Sequence, residues 1–120
     1  MKILSIEDES IILKTIEFKL KKDGYDVVIA RDGKEGMEKI EAESPDIILT
    51  DIMMPYASGL EIISFVRAKL GLKTPIIVLS ALGQEETVIK AFELGADDYI
   101  TKPFSPNELS IRVKKIAMRL

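Results

Sequence analysis

The feature that most restricts how this chain can fold is an alternation, repeated five times, of a short apolar run with a longer stretch of helical period. The apolar runs are Ile3–Ile6, Tyr25–Ala30, Ile47–Leu49, Ile76–Leu79 and Tyr99–Ile100. Three of them are continuous and rich in β-branched residues, the pattern of strands covered on both faces. The fifth is short enough for a sheet edge. Between the runs, Ile12, Ile16 and Leu20 recur on one face of the first helical stretch, and Leu109, Val113, Ile116 and Leu120 do so in the last. Helix punctuation agrees with this order. Ser105-Pro106-Asn107-Glu108, Ser58 to Glu61 and Asp32 to Glu35 each fit a capping box, and Gly24, Gly71 and Gly95 stand where helices should stop. The alternation predicts an α/β domain of (βα)₅ type over residues 1–120, a doubly wound open parallel sheet with right-handed crossovers.

Composition narrows the chemistry. With 120 residues the chain suits one domain. It has no Cys and no His, which excludes disulfides, thiolate nucleophiles, Ser-His-Asp sites and zinc held by imidazole or thiolate. What remains is carboxylate, hydroxyl and amine chemistry. A net charge of −3 and a pI near 5.1 argue against nucleic-acid binding by this segment, which needs a basic footprint. No apolar run approaches the ~20 residues that span a bilayer, and the start Met-Lys-Ile-Leu-Ser-Ile lacks signal-peptide features. The expectation is a cytoplasmic protein without membrane contact.

In an open parallel sheet, functional groups gather beyond the carboxyl ends of the strands. Here those ends read Glu7-Asp8-Glu9 after the first run, Asp51 after the third, Ser80 after the fourth and Lys102 after the fifth. One at a time these are ordinary residues: helix caps, a turn aspartate before Pro55, a loop hydroxyl, a surface lysine. Together they place several carboxylates at one rim, where repulsion is relieved either by raised pKa values or by a cation. A few oxygen ligands suit Mg²⁺, completed by water and phosphate oxygens. A lysine and a hydroxyl nearby supply a charge and a hydrogen bond for a phosphoryl group.

The same residues carry a family resemblance. Ile6-Glu7-Asp8-Glu9, Asp51-Ile52-Met53-Met54-Pro55 with Gly59 beyond it, Leu79-Ser80-Ala81 and Lys102-Pro103-Phe104 fall in the order and at the strand ends found in response-regulator receiver domains of two-component signalling. The chain resembles that family over its whole length. The resemblance implies the flavodoxin-like strand order 2-1-3-4-5. It implies Asp51 as phosphoacceptor, Mg²⁺ held by Asp8, Asp51 and the Met53 backbone carbonyl with Glu7 acting through water, and Lys102 gripping the phosphoryl oxygens. Ser80 and Tyr99 take the switch positions, and Lys102-Pro103 is a candidate cis bond. The implied partner is a sensor histidine kinase or a phosphotransfer protein.

The output surface is implied to be the fourth helix, fifth strand and fifth helix. Residues Ala91 to Tyr99 and Glu108 to Arg112 are similar to the face used for symmetric dimers in the winged-helix transcription-factor subfamily. Ile89 and Phe92 would form its apolar patch, and Asp97, Asp98, Glu108 and Arg112 its charged rim, with Asp98 facing Arg112 across a two-fold. Val88 departs from that subfamily, which usually places a basic partner for Glu108 there, and Ser110 departs as well. Rival classes fit less well. A haloacid-dehalogenase-like phosphatase needs a second Asp where Met53 stands, and acidic Glu7-Asp8-Glu9 would repel a flavin phosphate. A degenerate receiver acting only by protein contact would lack one of Asp8, Asp51 or Lys102.

Overall fold

The structure, a computed structural model, describes residues 1–120. Five strands alternate with five helices: β1 (Lys2–Ile6), α1 (Ser10–Lys22), β2 (Asp26–Ala30), α2 (Gly33–Glu43), β3 (Ile47–Asp51), α3 (Gly59–Ser64), β4 (Ile76–Ala81), α4 (Glu85–Leu94), β5 (Asp98–Lys102) and α5 (Pro106–Ala117). A π-helical turn, Phe65–Lys69, continues α3. All strand pairs are parallel, and the order is β2-β1-β3-β4-β5. β5 is an edge, as its short apolar run suggested.

Alternation along the strands divides the core into two layers. Leu4, Ile6, Ile48, Ile76 and Val78 face α2, α3 and α4, where they meet Ile40, Ile62, Ile63, Val88 and Ala91. Ile3, Ile47, Leu49, Ile77, Leu79 and Ile100 face α1 and α5, meeting Ile16, Leu20, Leu109, Val113 and Ile116. Burial on both faces is why those runs are continuous rather than alternating. Leu120 was expected on the α5 face, but α5 ends at Ala117 and Leu120 is exposed.

At the three predicted capping boxes the N-cap half forms, without the return bond from the glutamate side chain. Asp32, Ser58 and Ser105 side chains accept from the backbone N–H of Glu35, Glu61 and Glu108. Gly95 closes α4 in the left-handed region at φ 117°, where its carbonyl accepts from Arg67 Nε at 3.1 Å and Nη2 at 2.9 Å. The same guanidinium reaches the carbonyls of Leu72 and Thr74 and the carboxylate of Asp97, tying the π-helical turn to the start of β5.

One residue of the α1/α5 layer is out of place. Ser5 alternates with Ile3 on β1, is fully buried, and its hydroxyl has no hydrogen-bond partner. A buried, unpaired hydroxyl costs about 1–3 kcal/mol. Ser5→Ala is therefore expected to raise stability by about 1 kcal/mol, seen as a higher urea midpoint at unchanged m. A midpoint lowered by the substitution would show that the hydroxyl has a partner.

Candidate functional site

The strand order decides what can meet at the carboxyl rim. With β1 and β3 in the centre and β4 and β5 beside them, the residues that follow or end those strands converge. Glu7 continues β1 by one ladder bond, donating its N–H to the Ala30 carbonyl at 3.0 Å, and its side chain is fully buried. Asp51 ends β3 and is 4% exposed. Lys102 ends β5, and its Nζ lies 3.0 Å from Glu7 Oε1, 3.0 Å from Asp51 Oδ2 and 3.7 Å from Glu9 Oε1. Ser80, near the end of β4, is 2% exposed. The Lys102-Pro103 bond is cis.

The chain beyond Asp51 is held tightly. Ile52 donates its N–H to the Leu79 carbonyl at 3.0 Å, and its own carbonyl accepts from Gly59 N–H at 2.7 Å. A side chain at Gly59 would meet the Asp51 carbonyl oxygen at 2.4 Å, so only glycine permits this approach. Met53, Tyr56 and Leu82 project outward around the rim.

Electrostatics at the rim are unbalanced. Glu7, Asp8 and Asp51 each offer a carboxylate oxygen within 4.8 Å of the others, and Glu9 stands beside Lys102. Four carboxylates face one ammonium. Burial, and then the Asp51 charge, push the Glu7 carboxyl up to about 8, against the lowering hydrogen bond from Lys102. The donor set is all oxygen, compact and short of positive charge, which fits a hard divalent cation such as Mg²⁺. Asp8 is exposed, so such an ion would be approached from solvent. The alternative of Asp8 and Glu9 as simple helix caps is not realised, since the α1 N-cap, Glu9, makes no side-chain capping bond.

The Glu7 shift has a testable sign. Between its ordinary value of 4.5 and about 8, the folded protein holds a proton that the unfolded chain releases. Stability therefore falls as pH rises through that window. The chain has no His to titrate there. In a chelator, the thermal midpoint is expected to drop from pH ~5 to ~8, and Glu7→Gln should flatten the slope. An equal slope in wild type and Glu7→Gln would remove Glu7 as its cause.

The remaining predicted residues lie on the α4–β5–α5 face. Tyr99 is half exposed, with its ring edge-on to Phe92 at 5.9 Å. A cavity of about 140 Å³ between Tyr99, Ser80, Val88 and Thr101 opens behind it. Ile89 is 59% and Phe92 41% exposed. Three of the four charged residues expected at its rim, Asp97, Asp98 and Arg112, are engaged within the chain, while the Glu108 carboxylate makes no ion pair. Arg112 Nη1 lies 3.2 Å from Asp98 Oδ1, and Arg67 Nη2 lies 3.0 Å from Asp97 Oδ2. The Asp98–Arg112 pair, expected across a two-fold, thus exists inside one subunit. Asp97 is further fixed by accepting from Ile76 N–H at 2.9 Å. Val88 is buried, so an apolar residue there serves the core. Sequence reasoning gave Glu9 no part in the site beyond a cap and overlooked Gln84. The Gln84 Oε1 accepts from Ala81 N–H at 2.7 Å beside Ser80.

Comparison with known proteins gives one consistent result. The family profile for the response regulator receiver domain matches residues 3–114. The alkaline phosphatase synthesis transcriptional regulatory protein PhoP of Bacillus subtilis (strain 168) is 44% identical over 118 residues, covering 98% of this chain and 49% of PhoP. The chain thus spans about half the length of that relative. Among solved structures, the receiver domain of the Francisella response regulator 1452 superposes with a TM-score of 0.90 at 41% identity, covering 98% of this chain and 97% of that one. The chemotaxis response regulator CheY4 of Vibrio cholerae does so with 0.89 at 30% identity, covering 96% and 97%. No helix is long and apolar enough to cross a membrane. By its fold, by the residues at its rim and by these likenesses, the chain belongs to the response regulator receiver domain family.

Proposed function

We propose that this chain is a phosphorylation switch in which Asp51 accepts a phosphoryl group from the phosphohistidine of a sensor kinase or phosphotransfer protein. The observation that carries this reading is the convergence of Glu7, Asp51 and Lys102 at 3.0 Å contacts from three separate strands, with Asp8 at the mouth. Asp8, Asp51 and the Met53 carbonyl would hold Mg²⁺, with Glu7 acting through water. Bound there, the ion would neutralise charge on the transferring phosphoryl group. An Asp51 oxygen attacks phosphorus, the P–N bond breaks, and its electron pair stays on the donor imidazole. Lys102 takes the phosphoryl oxygens and so exchanges one anionic partner for another. A carboxylate is a weak nucleophile, so the chain contributes alignment and charge rather than acid–base chemistry.

The acyl phosphate adds about one to two negative charges beside Ser80 and Lys102. Ser80 then donates to it, and the cavity behind Tyr99 gives the ring room to turn inward, shifting α4, β5 and α5. Exposed Ile89 and Phe92 favour pairing with a second copy through this face, with Asp98, Arg112 and Glu108 at its rim. Asp98 would first have to exchange its internal partner. Likeness to a transcriptional regulator favours control of transcription in the cytoplasm through an attached effector. The second reading, a free-standing receiver acting by protein contact, uses the same site.

Incubation with a small phosphodonor and Mg²⁺ is expected to add about 80 Da at Asp51, consistent with acyl-phosphate chemistry. Mass spectrometry showing no adduct, or an equal one on Asp51→Asn, would sink the proposal.

A further inference from the structure

The corner between β4 and α4 contains a hydrogen bond that the sheet does not require. In a strand, the backbone groups of residues i and i+2 face the same neighbour. Leu79 faces β3, since its carbonyl accepts from Ile52 N–H at 3.0 Å. The Ala81 N–H, two residues on, therefore points into the opening between β3 and β4, beside the end of β3 at Asp51. No β3 carbonyl meets it. The Ile52 carbonyl, next in register, is engaged by Gly59 N–H at 2.7 Å as the chain leaves the sheet. The Ala81 donor is filled instead by Gln84 Oε1 at 2.7 Å. Gln84 is fixed in turn, because its backbone carbonyl accepts from Val88 N–H at 3.0 Å in the first turn of α4.

We propose that Gln84 is a placeholder for the phosphoryl group: its side-chain oxygen occupies the Ala81 N–H, a backbone donor that an oxyanion on Asp51 would take. The inference rests on Asp51 being the phosphoacceptor. Phosphorylation then exchanges one acceptor for another at Ala81, and the displaced Gln84 side chain releases the Leu82-Gly83 loop from its tie to α4. Gln84 is a positioning residue: it sets how strongly the site holds a phosphoryl group without being part of the chemistry. Its neighbours favour such an exchange, since Leu82 is exposed and Gly83 has φ 87°, so the loop has no packed contact through Leu82 to break.

The test uses the ¹⁵N-labelled chain with beryllofluoride at saturating Mg²⁺, comparing wild type, Gln84→Ala and Gln84→Met. Removing a competing neutral acceptor is expected to lower the half-saturating beryllofluoride concentration by about two- to tenfold in both variants, the range of one net hydrogen bond. Binding of Mg²⁺ alone should stay unchanged. In wild type, the Gln84 side-chain amide resonances should move toward solvent values on binding. A residue that merely braces the loop predicts the opposite sign, weaker binding in both variants. Half-saturation unchanged or raised in both, or Gln84 resonances that do not move, would overturn the inference. Failure of wild type itself to bind beryllofluoride would instead overturn the assignment of Asp51, and this inference with it.

Discussion

Lys102→Met is expected to slow phosphorylation of Asp51 by about 10²-fold or more at saturating Mg²⁺, the scale of removing one preorganised charge from a transition state. The reason lies in where Lys102 sits. Its ammonium contacts Glu7 and Asp51 at 3.0 Å, and its side chain is 13% exposed. Burial works against its charge, but hydrogen bonds to Asp51 and Glu7 outweigh this and lift its pKa above the ordinary lysine value. It is therefore a permanent cation at working pH. Methionine keeps the length of the stem and removes only the charge. The loss of stability should be smaller than the ~3–5 kcal/mol of breaking a fully buried ion pair, because the Glu7 carboxyl, pushed up to about 8, already holds a proton at neutral pH and is not left as an unpaired buried anion. Phosphorylation of Lys102→Met at the wild-type rate, followed by mass spectrometry, would show that Lys102 serves the fold alone.

Gly59→Ala should be among the most damaging single-methyl changes in the chain, at about 3 kcal/mol of stability. The added Cβ would lie 2.4 Å from the Asp51 carbonyl oxygen and 2.8 Å from Ile52 Cα. Both are backbone atoms of the segment that carries Asp51, and no rotamer change relieves them. Gly36→Ala is the control. Its nearest neighbour is Ile6 Cδ1 at 2.6 Å, the far end of a side chain that can rotate, so about 1 kcal/mol is expected. Urea unfolding that ranks the two equally would contradict the distinction between backbone and side-chain neighbours.

Much of this arrangement was legible in the sequence because its signals are local. Continuous β-branched runs, capping boxes at Asp32, Ser58 and Ser105, and the glycine at Gly95 each act within a few residues. The strand ends then followed from topology. What escaped depends on contacts between distant segments. Nothing near Ser44 announces that it ends α2 in the left-handed region at φ 46°. The π-helical turn at Phe65–Lys69 has no signature of its own, and it presents Arg67 to Gly95 and Asp97 across the α4–β5 corner. Charge pairing was the least legible. Asp98 and Arg112 are only 14 residues apart, yet sequence alone could not decide between one chain and two. Glu7 and Lys102 are 95 residues apart, and their direct bond was not foreseen.

That last contact ties the candidate site to an edge of the sheet. β5 has a strand neighbour on one side only, while β1, β3 and β4 have two. Edge segments open more readily than central ones. Fraying of β5 need not disturb Glu7, Asp8 or Asp51, which follow central strands, but it carries Lys102 away from them. On the proposed function, the chain can thus keep its central strands and lose its reactivity, so hydrogen exchange along β5 should track the fraction of molecules competent to be phosphorylated better than global stability does.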